Sequence, residues 1–177
     1  ALSSWDDWGT ASVSVELNQG LNLISVGRET TDTGAFNLDC IDVYMAEINN
    51  AGFETGTITG WAAEGNNYGI DNSDAYRGDY KCYFWSENEF DQRISQTVSL
   101  PNGTYLVSAM VKQDTGTPNV CRMELGGFGG TTKNISIPHS SSYQQITGTV
   151  SVTTGQLTIA FYENADGNAN LQIDEIA

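Results

Sequence analysis

Between residues 80 and 93 the chain alternates Tyr80, Cys82 and Phe84 with Lys81, Tyr83 and Trp85, then runs into the polar stretch Ser86-Glu87-Asn88-Glu89-Phe90-Asp91-Gln92-Arg93. Successive side chains of a strand point to opposite faces, so Phe84 can enter a core while Trp85 and Tyr83 face outward. A flat indole beside amides, carboxylates and guanidinia suits a ligand with one apolar C–H face and a rim of hydroxyls, which describes a pyranose. Tyr162 shares that outward face if its strand is a neighbour, and Tyr68 lies in the loop Gly65-Asn66-Asn67-Tyr68-Gly69. Arg93 and Arg77 are the natural hydroxyl-directed donors in a chain with only 7 lysines and arginines. For each tyrosine the competing reading is packing between sheet and loop.

Other chemistry has little to build on. The single histidine, His139, sits in Pro138-His139-Ser140-Ser141-Ser142, which reads as a solvated turn rather than the seat of a catalytic base. Cys40, Cys82 and Cys121 cannot all pair within one chain and show no zinc-like spacing; a Cys82–Cys121 disulfide and buried free thiols both remain open. A carboxylate pair such as Glu124 and Glu163 meeting across a sheet would suit a glycoside hydrolase. Carboxylates are so abundant here, however, that their presence is a poor signal.

The 22 acidic against 7 basic residues give a net charge of −15, which repels nucleic acid and anionic membrane surfaces and tolerates a neutral ligand or a divalent cation. No run approaches the length of a membrane span and no charged-then-apolar leader opens the chain, so a soluble mature segment is expected. With 39% apolar and 16% charged residues among many Gly, Ser, Thr and Asn, a core built from short strands fits better than disorder or helices.

The elements that must hold these groups are strands. Val13, Val15 and Leu17 alternate within residues 12–17, and residues 21–26 follow across the turn Asn18-Gln19-Gly20, a hairpin signal. Further strands are expected over residues 80–85, 94–98, 104–112, 120–125, 133–137, 144–152, 156–162 and 171–176, and no segment shows a 3.6-residue apolar stripe. Near-regular short strands with Gly-rich turns predict an all-β fold, an antiparallel β-sandwich of jelly-roll type. The stretch Ala46-Glu47-Ile48-Asn49-Asn50-Ala51-Gly52 interrupts the pattern and divides the chain into residues 1–46 and 47–177.

Residues 49 to 177 carry Asn50-Ala51-Gly52-Phe53-Glu54-Thr55-Gly56, then Gly60-Trp61, Ala75-Tyr76-Arg77-Gly78-Asp79-Tyr80-Lys81, Phe84-Trp85-Ser86, Ser95-Gln96-Thr97-Val98, Leu100-Pro101-Asn102-Gly103-Thr104-Tyr105 and, at the end, Ile173-Asp174-Glu175-Ile176. In this order they resemble the β-sandwich carbohydrate-binding modules of families 4, 16 and 22, and most of all family 61. Ala51 stands where proline is usual, and Glu175 replaces the second residue of an Asp-Asp pair. The resemblance implies that Trp61 is a core residue. It also implies a structural Ca2+ held by the carboxylates of Glu54 and Asp174 and by main-chain oxygens of Gly52, Gly78 and Lys81, an oxygen-rich shell of the kind calcium takes.

Residues 1–46, through Trp5-Asp6-Asp7-Trp8-Gly9-Thr10, Leu17-Asn18-Gln19-Gly20-Leu21-Asn22 and Phe36-Asn37-Leu38-Asp39-Cys40-Ile41-Asp42-Val43, resemble the C-terminal half of a family 6 or 35 carbohydrate-binding module, a fragment of a second β-sandwich. By that resemblance Trp5 would stack on a sugar and Asn37 would hydrogen-bond it; the alternative is that Trp5 and Trp8 cover apolar surface. Together the resemblances imply a non-catalytic, secreted microbial module that binds a polysaccharide, β-1,4-galactan before xylan or another β-glycan, for a covalently attached catalytic domain. They bring no catalytic residues, no nucleic acid and no membrane insertion. An adhesion or spacer module without a sugar site is the rival reading.

Overall fold

A computed structural model describes residues 47–177 together with Val26. The strands expected over residues 12–26, the module fragment over residues 1–46, and with them Trp5, Asn37 and Cys40, lie outside the described residues.

Among the described residues there are ten strands: β1 (Ala62–Glu64), β2 (Tyr68–Asp71), β3 (Lys81–Ser86), β4 (Phe90–Ser99), β5 (Gly103–Thr115), β6 (Val120–Gly126), β7 (Lys133–Ser136), β8 (Gln144–Val152), β9 (Gln156–Ala165) and β10 (Ala169–Asp174). They form two five-stranded sheets, ordered β1-β4-β9-β6-β7 and β2-β3-β10-β5-β8, and every pairing is antiparallel. Among the described residues there is no helix. The expected sandwich is therefore the observed one.

The period of two builds the core. Phe90, Ile94 and Val98 from β4 and Leu157, Ile159 and Phe161 from β9 are buried on the inner side of the first sheet, while Cys82 and Phe84 from β3 and Leu171 and Ile173 from β10 are buried in the second. Trp61 closes one end as expected, 6% exposed and with ring centroids 5.7 Å from Phe53 and 6.3 Å from Phe161. In β5 the alternation of burial breaks where Val111, Lys112 and Gln113 are all buried in succession. A bulge explains this, because β5 advances from Lys112 to Thr115 while β10 moves from Gln172 to Asn170.

Two short strands were not expected. β1 and β2 carry few apolar residues, so their sequences show little strand signal. They exist because each adds its backbone to the edge of a preformed sheet, β1 on β4 and β2 on β3. Tyr68 thus belongs to a strand rather than a loop.

Candidate functional site

The outer face of the first sheet carries a continuous cross-strand row. Register places Glu64 opposite Arg93, Arg93 opposite Tyr162, Tyr162 opposite Arg122 and Arg122 opposite Ser136, spanning all five strands. Because their inward neighbours are fixed in the core, these side chains are forced out onto one face. Arg93 Nη1 donates to Glu64 at 2.6 Å and its Nε to Glu124 at 3.1 Å; Arg122 Nε donates to the other oxygen of Glu124 at 2.8 Å. The result is an alternating chain of carboxylates and guanidinia, two of each.

Tyr162 sits inside this chain. The Arg122 guanidinium carbon lies 4.8 Å from its ring centroid, and its hydroxyl donates to Asp91 at 3.1 Å. Burial, then the bond to the carboxylate, pushes the phenol pKa above its ordinary value. The adjacent row is Ala62, Ser95, Ala160, Glu124 and Asn134. Ala160 is fully buried although its register turns it outward, so taller neighbours close over it. The face therefore has small residues as its floor and a row of paired charges with an aromatic ring as its wall. Among the described residues, Arg93 Nη2 and Arg122 Nη1 make no internal hydrogen bond and remain available as donors.

The second sheet presents a different surface on the opposite side of the sandwich. Trp85, 38% exposed, and Tyr83 project from β3, with Asn170 opposite the first and Gln172 opposite the second. Tyr83 lies across β2 at Gly69, where a Cβ would sit 2.5 Å from its Cζ and its hydroxyl. Lys112 is paired with Asp74 and, at 3.1 Å, with Asp114. Tyr143 places its ring centroid 5.6 Å from the Lys112 ammonium, and its hydroxyl lies 3.1 Å from the Asp74 carbonyl and 3.3 Å from Gln172 Oε1.

These placements correct the expected site in four respects. Tyr162 and Arg93 do not share a face with Tyr83 and Trp85, because β9 and β3 belong to different sheets. Tyr68 pairs with the inward-facing Phe84 and packs half-buried against the core, on the face of its sheet opposite Tyr83 and Trp85. Arg77 stands away from Arg93, its Nη1 reaching Glu175 at 3.5 Å. Glu124 and Glu163 are on adjacent strands but turn to opposite faces: Glu124 is held by the arginines outside, whereas Glu163 is wholly buried with neither carboxylate oxygen hydrogen-bonded. They cannot act as a pair on one substrate. Cys82 and Cys121 are free thiols, and His139 is an exposed loop residue whose Nδ1 is 2.7 Å from Gln113 Oε1.

Sequence reasoning missed Arg122 and Glu64, and named Glu124 only as one half of a carboxylate pair with Glu163. The pattern Arg122-Met123-Glu124 announces two outward charges around a core residue, but nothing in β6 says that β9 and β4 lie beside it.

Of the residues expected to hold calcium, Gly52 lies beside Glu54 and Asp174, and Gly78 beside Glu54. A Cβ on Gly52 would lie 3.3 Å from Glu175 Oε1, 3.5 Å from Asp174 Oδ1 and 3.6 Å from Glu54 Cγ. Glu54 accepts from the backbone N–H groups of Asp79 at 2.9 Å and Tyr80 at 3.2 Å, and Gly78 packs directly on its carboxyl. Asp174 is fully buried, accepting from Arg77 N at 3.1 Å and Glu175 N at 2.8 Å. Among the described residues no basic side chain pairs with it. Burial accordingly pushes its pKa up. A buried carboxylate without a counter-charge, among other oxygens, fits a hard cation. Among the described residues no group of three or more His, Cys, Asp or Glu is arranged to hold a metal on its own, so main-chain oxygens would have to complete the shell. The Lys81 side chain takes no part, being drawn to Asp71 at 3.0 Å and to the Ser73 carbonyl.

No family model matches the sequence. Among curated proteins, the chain is 26% identical over 201 residues to a 1,6-alpha-glucosyltransferase of Sporosarcina globispora, covering 98% of this chain and 16% of that protein. It is 48% identical over 44 residues to an isomalto-dextranase of Arthrobacter globiformis, covering 25% of this chain and 7% of that protein. The chain thus spans less than a fifth of the length of either. Among solved structures, TmCBM61 in complex with β-1,4-galactotriose superposes with a TM-score of 0.66 at 22% identity, over 75% of this chain and 97% of that one. A family 16 carbohydrate-binding module gives 0.58 at 19% identity, over 73% and 96%. The CBM22-1 xylan-binding domain from Paenibacillus barcinonensis gives 0.52 at 21% identity, over 71% and 88%. The fold of the described residues is that of the β-sandwich carbohydrate-binding modules.

Proposed function

We propose that residues 47–177 bind carbohydrate without transforming it, on the outer face of the first sheet. The observation that carries this reading is the single row in which Glu64, Arg93, Tyr162 and Arg122 stand side by side, cross-linked by Glu124. A sugar hydroxyl both donates and accepts, and this row offers guanidinium donors and carboxylate acceptors whose rotamers are already fixed by one another, beside an aromatic plane. Pre-ordered side chains lose less entropy on binding. Two guanidinia face the carboxylates of Glu64 and Glu124, with Asp91 a third carboxylate beside Tyr162, so the face carries no net positive charge to attract an anionic glycan and suits a neutral one.

The polysaccharide is read from two directions. The family 61 resemblance, and a structural neighbour solved with β-1,4-galactotriose, favour β-1,4-galactan. The two curated relatives, named for 1,6-alpha-glucosyl transfer and for isomalto-dextran, favour an α-1,6-glucan. In either case the module would act by effective concentration, keeping an attached catalytic domain of a secreted microbial enzyme near its substrate. The exposure of Trp85 weighs against the adhesion or spacer reading. A bound Ca2+ would be structural: Glu54 and Asp174, with main-chain oxygens of the Gly52 and Gly78 turns, would tie the start of the sandwich to its last strand. When bound it supplies charge compensation for Asp174.

Calorimetry of the chain in calcium against β-1,4-galactan, xylan and dextran tests the reading. Binding to one polysaccharide in which a site is lost in both Tyr162→Ala and Arg122→Ala supports it. Folded protein that binds none of the three, or that binds equally well in both variants, refutes this site.

A further inference from the structure

We propose that the outer face of the second sheet is a second, independent pyranose-binding surface, so that one molecule holds two neutral glycan chains on opposite sides of the sandwich. The inference rests on the carbohydrate-binding reading above but on different residues. Trp85, the penultimate residue of β3, is a large aromatic left 38% exposed on the sheet face near one end of the strand. Tyr83, two residues away on the same strand, points to the same side, with Cα atoms roughly 7 Å apart along β3. Tyr83 does not stand up from the sheet. It reclines over Gly69, and only a residue without a Cβ permits this, so the ring extends the floor beside the indole.

The polar rim is ordered as well. Asn170, the cross-strand partner of Trp85, donates from its amide to Asp114 at 3.1 Å, and Asp114 in turn pairs with Lys112. Gln172, the partner of Tyr83, is buried with its Oε1 3.3 Å from the Tyr143 hydroxyl, so it backs the Tyr83 side of the floor and leaves Asn170 and Asp114 as the rim. Aromatic planes next to fixed amide and carboxylate groups are what one apolar sugar face and its hydroxyls require. The Lys112 charge is already satisfied by Asp74 and Asp114, and the chain carries a net charge of −15, so an acidic polysaccharide is disfavoured and a neutral hexopyranose chain is the occupant. Stacked sheets lie about 10 Å apart, with side chains projecting beyond each, so one glycan strand cannot lie on both faces at once.

The test is calorimetric stoichiometry with β-1,4-galactotriose and with isomaltotriose, on the intact chain and on Trp85→Ala, Asn170→Ala and Tyr162→Ala, with near-ultraviolet circular dichroism to confirm folding. Two sites per chain are expected, falling to one in Trp85→Ala and in Tyr162→Ala. Asn170→Ala should keep both sites with the second-sheet one about tenfold weaker, the equivalent of about 1.4 kcal/mol. Wild-type protein should also precipitate long soluble polysaccharide, and either single-site variant should not. One site that disappears only with Tyr162→Ala overturns this inference and leaves the first-sheet reading standing. One site that disappears only with Trp85→Ala overturns both the two-site inference and the first-sheet assignment. No binding of either trisaccharide or of the long polysaccharides overturns the carbohydrate reading and the inference with it.

Discussion

Arg122 sets its guanidinium carbon 4.8 Å from the centroid of the Tyr162 ring on the adjacent strand while its Nε holds Glu124 at 2.8 Å. One side chain thereby fixes both the aromatic plane and a hydrogen-bond acceptor of the proposed binding face.

The first prediction follows from that double role. Arg122→Ala removes a cation–π contact worth about 0.5–1 kcal/mol at an exposed site and frees Glu124 on one side. Its effect on thermal stability should be small, a shift of a few degrees at most by calorimetry. Its effect on polysaccharide binding should be large, because Tyr162 and Glu124 lose their orientation together. Arg122→Lys should not rescue, since an ammonium cannot both lie over the ring and reach Glu124 as a fork. Full rescue by lysine would show that charge alone matters.

Glu163 makes stability depend on pH. It is wholly buried without a hydrogen bond, and burial pushes its pKa up to about 8 from 4.5. The folded state therefore binds its proton more tightly than the unfolded state. Its contribution is undiminished below the unfolded pKa and is lost as pH rises towards the folded value, at roughly 1.4 kcal/mol per unit at the steepest. Chemical denaturation at pH 5, 7 and 9 should show wild-type stability falling relative to Glu163→Gln, with the difference levelling off above pH 8. A pH-independent difference between the two proteins would mean that the carboxyl is ionised or hydrated throughout.

Calcium removal is the third prediction. Among the described residues Asp174 is buried without a cationic partner, so a bound ion would stabilise the folded state by mass action and its chelation should lower Tm. EDTA is expected to lower Tm in the wild type, and Ca2+ to restore it more effectively than Mg2+, given the loose multi-oxygen shell. In Asp174→Asn the response should vanish. Equal Tm values with and without EDTA in calcium-loaded wild type would refute the site.

Gly78 offers a test of the same corner by geometry alone. Its φ is +73° and a Cβ there would collide with the Glu54 carboxyl. Gly78→Ala should cost about 1–3 kcal/mol in denaturation experiments, the range for a strained backbone position, and should displace Glu54 from the Asp79 and Tyr80 amides. Gly155→Ala shares the positive φ, at +74°, but meets nothing closer than 3.9 Å, so the backbone term alone remains and the loss should be smaller.

Much of the sandwich could be read from residue order because burial in a sheet repeats every two residues. Cys82 and Phe84 go in and Tyr83 and Trp85 go out, as their alternation requires, and the same rule sends Val107, Ala109 and Val111 of β5 to the core. Trp61, and the placement of Gly52 beside Glu54 and Asp174 and of Gly78 beside Glu54, were carried by the family resemblance. Alternation says on which side of its own strand a residue lies; it does not say which strand comes next. That β4, β9 and β6 are neighbours is settled by long-range backbone pairing, for example Arg93 with Tyr162 and Tyr162 with Arg122. Only this order joins Glu64, Arg93, Glu124, Arg122 and Tyr162 in one array, sends Glu163 inward away from Glu124, and parts Trp85 from Tyr162. The local chain determines each side chain's face, whereas the neighbours on that face depend on hydrogen bonds between segments up to about a hundred residues apart, which no local pattern encodes.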